Sequence, residues 1–287
     1  MIAFIIPIRH PANALSYSRI EALLDDTLAS LCNTRSNDYR VIVVCCRAPA
    51  TVRSHPNVEF LVVDFPPPGD GKATALPAFA MRQDKGLKIL VGFLRARALG
   101  AQRIMFVDGD DFVHRDLAAY CNDQPETMSM RVAQGFMYRD GSAIVSNLDD
   151  FSAFCGTSII LSIGMLSDHV EKTLTANSPY EEILAKADMD FVRFALGSHS
   201  RTAAYFAERG VTLAPAPIRG AVWRTGSAES HSGIKFAGAP KIATQEIIDD
   251  FKLPIVLSAG VLAKSALFEL PAFYAKDAIR SRLRGKG

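Results

Sequence analysis

Short apolar, β-branched runs alternate with amphipathic helical segments through the first half of the chain, and this alternation limits the fold most strongly. The strand-like runs are residues 2–8, 41–46, 58–63 and 103–107. Helical patterns at residues 18–31 and 85–99 separate them. The resulting order β-α-β-β-α-β predicts an α/β fold, a mostly parallel Rossmann-like sheet flanked by helices, whose ligands bind outside the carboxyl ends of the strands.

Capping patterns predict where the helices begin and end. Ser18 and Glu21 have the spacing of a capping box for the first helix, and Gly100 is placed to end the second. The buried stripe of the first helix is predicted to be Ile20, Leu23, Leu24, Leu28 and Leu31. In the second half, the pattern predicts a strand at 158–161 and a helix over 179–196 that starts with a capping box at Ser178.

Composition excludes several classes of protein. The 287 residues are 49% hydrophobic and 22% charged, as expected for an ordinary globular chain, and a net charge of +2 argues against bulk electrostatic binding of nucleic acid. Five cysteines without a CxxC spacing favour a reducing cytoplasm. The apolar run at residues 2–6 is too short for a signal peptide or a membrane span.

The strongest chemical signal is Asp108-Gly109-Asp110-Asp111, which directly follows the strand that ends at Val107. Three carboxylates in four residues need a counter-charge, and hard divalent cations prefer such oxygen ligands. Gly109 lets a ligand approach the backbone closely. The sequence therefore predicts a Mg²⁺ or Mn²⁺ site that binds a diphosphate. The alternative is a solvated turn or helix start, where Asp and Asp-Gly are common.

This motif resembles the DxDD element of family-2-like glycosyltransferases with the GT-A fold. Further segments that resemble the family are Phe4-Ile5-Ile6-Pro7-Ile8, Asp84-Lys85-Gly86, Ile104-Met105-Phe106-Val107-Asp108, Ala187-Asp188-Met189-Asp190, Arg209-Gly210-Val211, Val222-Trp223-Arg224 and Ser230-His231-Ser232-Gly233. The resemblance spans about residues 2–233. It implies a metal-dependent transfer of a sugar from a nucleotide-diphosphate donor to a hydroxyl of a carbohydrate or lipid-linked acceptor, in surface polysaccharide or glycolipid synthesis.

The resemblance also implies residue roles. Asp108 would contact ribose or a metal-bound water, Asp110 would bind the metal directly, and Asp111 would support them. Asp188 or Asp190 would be the base that deprotonates the acceptor, and His231 would be a third metal ligand or a diphosphate contact. The donor contacts are predicted to be Pro7, Ile8, Arg9, Asp64, Lys85, Lys88, Asp108 and Gly109.

Each of these positions also has a structural interpretation. Lysines near a helix start often serve solubility alone, and Asp64 suits a turn as well as a nucleotide contact. Asp188 has the alternative of a solvated helix carboxylate, and His231 that of an exposed loop histidine. Trp223 is either a core anchor or a stacking platform.

The chain is predicted to divide into a glycosyltransferase domain over residues 1–245 and a C-terminal helical extension over 246–287. Within the first, residues 1–115 would bind the nucleotide and residues 116–245 the acceptor. Residues 253–274 are mostly apolar, and Arg280, Arg282, Arg284 and Lys286 follow. This pattern is compatible with a cytoplasmic protein that contacts the inner face of a membrane, but it favours a terminal helix packed on the core with a solvated tail.

Two other functions remain open at this point. A haloacid-dehalogenase-type phosphatase also places its DxDx nucleophile after an apolar strand, although Phe112 stands where a small hydroxyl residue is expected. A non-catalytic protein that binds sugar nucleotides is suggested by Cys45-Cys46-Arg47, where the family carries acidic residues.

Overall fold

The computed structural model of the chain describes residues 1–50, 52, 54–69, 76–227, 229 and 237–274. Its strands are β1 (Ile2–Pro7), β2 (Tyr39–Cys45), β3 (Val58–Val62), β4 (Arg103–Phe106), β5 (Phe112–Val113), β6 (Met130–Arg139), β7 (Ile144–Leu148), β8 (Ile159–Ser162), β9 (Ala214–Thr225) and β10 (Pro240–Ile242). Its helices are α1 (Tyr17–Leu31), α2 (Ala78–Ala98), α3 (Leu117–Asn122), α4 (Ile163–Ser167), α5 (Tyr180–Lys186), α6 (His199–Ala207), α7 (Gln245–Phe251) and α8 (Ala259–Lys264). Two π-helices lie at Phe191–Leu196 and Ser265–Glu269.

The strands form one sheet in the order β10-β7-β6-β8-β4-β1-β2-β3, with β9 paired to β5 and β6. Strands β3, β2, β1 and β4 run parallel, as does β9 beside β6, and the longest pairings of the sheet, β6 with β9, β1 with β2 and β2 with β3, are all parallel. Strand β8 runs antiparallel between β4 and β6. The predicted α/β fold, a mostly parallel sheet flanked by helices, is confirmed.

Strand order explains where a site can form. The chain moves from β1 outward to β2 and β3 and then returns to place β4 on the other side of β1. At such a reversal the connections leave the sheet in opposite directions, and a crevice opens at the carboxyl ends of the two central strands. The segments after β1 and β4 border this crevice, and both carry polar residues.

Three apolar clusters hold the sheet and helices together. One lies between the sheet and α2, a second packs α1 and α3 on the other face, and a third lies under α7. The middle of α2 is buried nearly all round, because the π-helix Phe191–Leu196 covers the side that faces away from the sheet. The predicted stripe of α1 is confirmed, since all five of its residues are buried.

Three predicted boundaries are wrong. The cap of α1 is Ser16, whose hydroxyl accepts from the Arg19 amide at 3.3 Å, rather than Ser18. Helix α2 begins seven residues earlier than residue 85, at Ala78. The helix expected over 179–196 is α5 followed by a π-helix, with a break where Ala187 becomes extended.

The C-terminal region is part of the packed body at least through α7. Phe251 contributes to the third cluster together with Phe112 on β5 and Phe136 on β6. Across the described residues, no helix combines the length and apolar character needed to cross a bilayer. The basic residues from Arg280 onward lie outside the described part of the chain.

Candidate active site

A cavity of about 480 Å³ opens at the carboxyl ends of β1 and β4. The predicted site residues that line it are Pro7, Ile8, Arg9, Lys85, Asp108, Gly109, Asp110, Asp111 and Trp223. Residues near sequence positions 7, 85, 108 and 223 therefore meet at one place, where strand order predicts a ligand. A volume of this size accommodates a small-molecule ligand.

Four other predicted residues lie away from this cavity as the described residues outline it. Lys88 is 0% exposed and pairs with Asp84 at 2.7 Å, so its charge is neutralised inside the core. Asp64 is exposed just beyond β3. Asp188 and Asp190 are exposed and do not line the cavity. His231 lies outside the described residues.

Asp188 has a clear local role. Its Oδ1 accepts the backbone N–H groups of Asp190 at 2.9 Å and Phe191 at 3.2 Å. These are the first amides of the π-helix, which have no partner within the helix itself. The carboxylate that the sequence offered as a base thus caps the start of a helix in this structure.

Lys85 neutralises the first carboxylate of the acidic run. Its ammonium group on α2 makes an ion pair with Asp108. Both side chains are partly buried, and although desolvation opposes it, the lysine lowers the pKa of Asp108. Asp108 therefore carries its negative charge beside a fixed positive one.

Asp111 accepts three hydrogen bonds and is buried. Its Oδ2 accepts from the Thr157 hydroxyl at 2.5 Å and from the Cys155 thiol at 3.0 Å, and its Oδ1 accepts from the Arg224 amide at 3.0 Å. Thr157 also accepts the Asp108 N–H at 2.9 Å. Asp111 thus ties the acidic loop to β9 and to the segment before β8.

Asp110 differs from the other two aspartates of the run in its partners. Within the described ranges its carboxylate makes no hydrogen bond or ion pair. Burial and the neighbouring Asp108 charge raise its pKa to about 6. A carboxylate in this state gains most from a bound cation, because a positive charge would offset both effects.

Gly156 lets the backbone pass against the Lys85–Asp108 pair. A Cβ at this position would lie 2.7 Å from Asp108 Oδ2 and 3.1 Å from Lys85 Nζ. Any larger residue would displace the two charges from each other. The close approach explains why glycine follows Cys155 here.

Arg9 lies across the cavity mouth and is paired with Glu229. The guanidinium donates to Glu229 Oε2 at 2.8 Å and to the Glu229 carbonyl at 2.7 Å. Glu229 Oε1 also accepts the Ser16 amide at 2.6 Å, at the start of α1. Glu229 therefore links the guanidinium on the cavity wall to the start of α1.

Trp223 is packed in the interior, as the core interpretation predicted, and the role of a stacking platform stays a prediction. It is largely buried, and its ring stacks on Phe154 at a centroid distance of 6.5 Å. Both rings also line the cavity. They form an apolar wall beside the charged groups.

Sequence reasoning missed several wall residues, namely Arg82, Phe154, Cys155, Gly156, Ser198, His199 and Glu229. The Cys155-Gly156-Thr157 segment precedes β8, and its proximity to Asp108 follows only from β8 running antiparallel to β4. The apolar spacing of the second half fits one continuous helix as well as two separate ones. The sequence therefore did not reveal the turn between the π-helix and α6 that places His199 on the wall.

The donor set fits a cation that is shared with a substrate. In the described part of the chain, no group of three His, Cys, Asp or Glu side chains could hold a metal ion by itself. Mg²⁺ in phosphate-handling sites commonly uses one or two carboxylates together with waters and substrate oxygens. Asp110 and the neighbouring Asp108 supply the one or two carboxylates that such a site needs.

No protein-family model matches the chain, and no curated protein matches it. Among solved structures, it is similar to TarS of S. aureus with 13% identity over 78% of this chain and 36% of that chain, at a TM-score of 0.39. TarS 1–349 in complex with UDP-GlcNAc gives 12% identity over 81% of this chain and 61% of that chain, at a TM-score of 0.41. The chain thus spans less than two thirds of either TarS chain.

Proposed function

We propose that the protein is a metal-dependent glycosyltransferase that moves a sugar from a nucleotide-diphosphate donor to a hydroxyl of a carbohydrate or lipid-linked acceptor. The observation that carries this proposal is Asp110, which has no partner among the described residues and lies in a cavity that also contains Arg9, Arg82 and Lys85. Acidic and basic groups that line one cavity suit a cation and a diphosphate bound together. The apolar Trp223–Phe154 wall suits the sugar or the base of the donor.

The residues then divide the work of transfer. Asp110 and Asp108 would hold Mg²⁺ or Mn²⁺, which supplies positive charge to the diphosphate leaving group. Arg9 and Lys85 would add charge-assisted hydrogen bonds to the phosphates. The segment from Pro7 to Arg9 and Gly109 also line the cavity, so their backbone would contact the nucleotide.

A thermal-shift screen tests donor binding. The panel contains UDP, GDP, CDP and dTDP sugars, with UDP-GlcNAc among them, each with and without Mn²⁺. We expect one nucleotide class to raise the melting temperature in the presence of the metal, because a ligand that binds the native state stabilises it. Asp110→Asn should remove the metal-dependent part, whereas Asp123→Asn on the surface should keep it. The absence of any shift across the panel contradicts the proposal.

Release of nucleoside diphosphate separates an enzyme from a binding protein. A transferase hydrolyses its donor slowly when water replaces the acceptor, and this release should depend on the metal. Donor binding without release would favour the non-catalytic alternative. Release of inorganic phosphate from phosphate esters, with no effect of sugar nucleotides, would favour the phosphatase.

We also propose peripheral contact with an anionic membrane through the C-terminal region. Leu267 and Phe268 are 67% and 70% exposed on the second π-helix, and the basic residues from Arg280 follow in sequence. Apolar side chains next to basic ones suit an anionic lipid surface. The protein should co-sediment with vesicles that contain phosphatidylserine and not with phosphatidylcholine vesicles, and Leu267→Ser with Phe268→Ser should weaken this. Equal sedimentation with both vesicles would contradict it.

A further inference from the structure

His199 lies on the cavity wall and has no part in the function described so far. It is the first residue of α6, which follows the π-helix Phe191–Leu196 after the short turn Gly197-Ser198. All three residues of this Gly-Ser-His segment line the same cavity as Asp108 and Asp110. The imidazole therefore shares the cavity with the groups that would bind the donor.

The position of His199 is fixed by the elements on both sides of it. Gly197 lies so close to α2 that a Cβ there would be 2.0 Å from the Arg82 carbonyl oxygen. The buried Thr202 hydroxyl is within hydrogen-bond distance of two carbonyls, that of Ala195 at 2.9 Å and that of Ser198 at 3.0 Å. These contacts join the first turn of α6 to the π-helix, so the histidine lies on a rigid part of the wall.

Within the described part of the chain, the charges that face His199 come from α2 and from the segment after β4. Burial lowers the pKa of His199, Lys85 and Arg82 on α2 lower it further, and Asp108 raises it. Burial has the largest effect, and the net shift is downward. The ring is therefore neutral at neutral pH, which is the form that accepts a proton.

Other proton acceptors on the described wall are engaged or unsuited. Asp108 is paired with Lys85, Asp111 accepts three hydrogen bonds, and Glu229 is paired with Arg9. Asp84 is paired with Lys88. Asp110 is the group assigned to the cation. Within the described residues, the His199 ring has no hydrogen bond or ion pair that would occupy its nitrogens.

We propose that His199 is the catalytic base of the transfer. Its unprotonated ring nitrogen takes the proton of the acceptor hydroxyl as the hydroxyl oxygen bonds to the anomeric carbon of the sugar. The bond from that carbon to the diphosphate breaks, and its electron pair leaves with the nucleoside diphosphate. The histidine then returns the proton to solvent. This inference rests on the proposed function and assigns the role of base, which the sequence had given to Asp188 or Asp190, to a different residue.

The test uses His199→Gln in the full chain, because glutamine keeps polarity and much of the size but is not a base. The donor is the nucleotide sugar that gives the largest thermal shift in the parent protein with Mn²⁺. We expect the kcat for nucleoside diphosphate release to fall at least ~100-fold. The donor-induced thermal shift and the KM should stay near the parent values. His55→Gln, the same change at a histidine that does not line the cavity, should leave all three quantities unchanged.

A second variant supports the assignment independently of folding effects. In His199→Ala the imidazole is absent, and added imidazole should restore part of the release rate in a concentration-dependent way. Full activity of His199→Gln with normal donor binding overturns the inference and leaves the proposed function intact. Loss of donor binding together with activity also overturns it, since the residue would then be a binding group. If the parent protein binds and cleaves no nucleotide sugar, the proposed function fails and this inference fails with it.

Discussion

Three neighbouring aspartates in the Asp108–Asp111 run have three different electrostatic states. Asp108 is ion-paired with Lys85, Asp111 is saturated with hydrogen bonds, and Asp110 has neither kind of partner in the described structure. Each state follows from the element that faces the side chain, which is α2 for the first and β9 with the segment before β8 for the last. Asp110 is therefore the carboxylate that is available for a cation, and Asp108 and Asp111 hold the loop that carries it.

Asp110→Asn should stabilise the protein at pH 7.5 in the absence of metal. The raised pKa of about 6 means that the folded chain binds the Asp110 proton more tightly than the unfolded chain does. The free energy of unfolding therefore falls as pH rises from about 4 to about 6, and the loss is complete above that range. The asparagine variant avoids this loss, so we expect a gain of about 1–3 kcal/mol at pH 7.5 and little change at pH 4. Urea unfolding of both proteins at the two pH values measures the gain in stability. An equal gain at pH 4 and pH 7.5 would contradict the raised pKa of Asp110.

Thr157→Val should destabilise the protein because it removes a hydroxyl that serves two groups. The Asp108 N–H and an Asp111 oxygen both bond to this hydroxyl, and Thr157 is 0% exposed. Buried polar groups that lose their partners cost about 1–3 kcal/mol. Thr27→Val is the matched control, because Thr27 is equally buried and its hydroxyl bonds only to a carbonyl one turn back in α1 among the contacts described. Urea unfolding should separate the two variants, and equal stabilities would refute this role of Thr157.

At the scale of the elements, the sequence predicted the central strands and the acidic loop well. Strands β1, β2 and β4 are buried along nearly their whole length, so most of their residues are apolar and their bounds are visible in composition. The direction of β8 is not visible in this way, because a short apolar run fits either direction. The antiparallel direction of β8 brings Cys155 and Thr157 next to the acidic run. The hydrogen-bond partners of Asp111 could therefore not be predicted from the sequence.

The break between α5 and the π-helix is a second feature that periodicity could not show. Apolar spacing continues across it, but Ala187 is extended and Asp188 starts a new helix. The same break moves Asp188 to the surface and, through Gly197, brings His199 to the cavity. A local change in backbone direction thus decides which residue faces the substrate.

Asp188→Ala should lower the free energy of unfolding by about 0.5–2 kcal/mol, the usual effect of losing a cap. Asp188→Asn should keep the stability, since an asparagine oxygen can accept the same two amide hydrogens. Both variants should release nucleoside diphosphate at close to the parent rate. A stable Asp188→Asn protein that has lost release would instead restore the base role that the sequence suggested.

At the scale of the whole molecule, residues on both sides of the proposed domain boundary at residue 245 pack in the same apolar cluster. Helix α7 lies beyond that boundary, yet it covers an apolar cluster that includes residues of β5, β6, β7 and β9. His114 Nε2 and Arg115 also reach Asp250 on α7, at 3.4 and 2.7 Å. The start of the C-terminal extension therefore completes the core of the residues before it.

Phe251→Ala should consequently destabilise the entire fold and not just its C-terminal end. The side chain is 1% exposed and packs edge-on against Phe136 at a ring distance of 5.8 Å. Its removal should cost about 3–5 kcal/mol, because it leaves a cavity where apolar contacts had been. Phe268→Ala is the matched control, since Phe268 is 70% exposed and should change stability by about 0.5 kcal/mol or less. If the region after residue 245 were an independent unit, Phe251→Ala would produce a separate early transition in urea while the cavity end of the sheet unfolded as before. We expect a single transition, followed by circular dichroism and by the fluorescence of Trp223 near the cavity, that shifts as a whole to lower urea concentration.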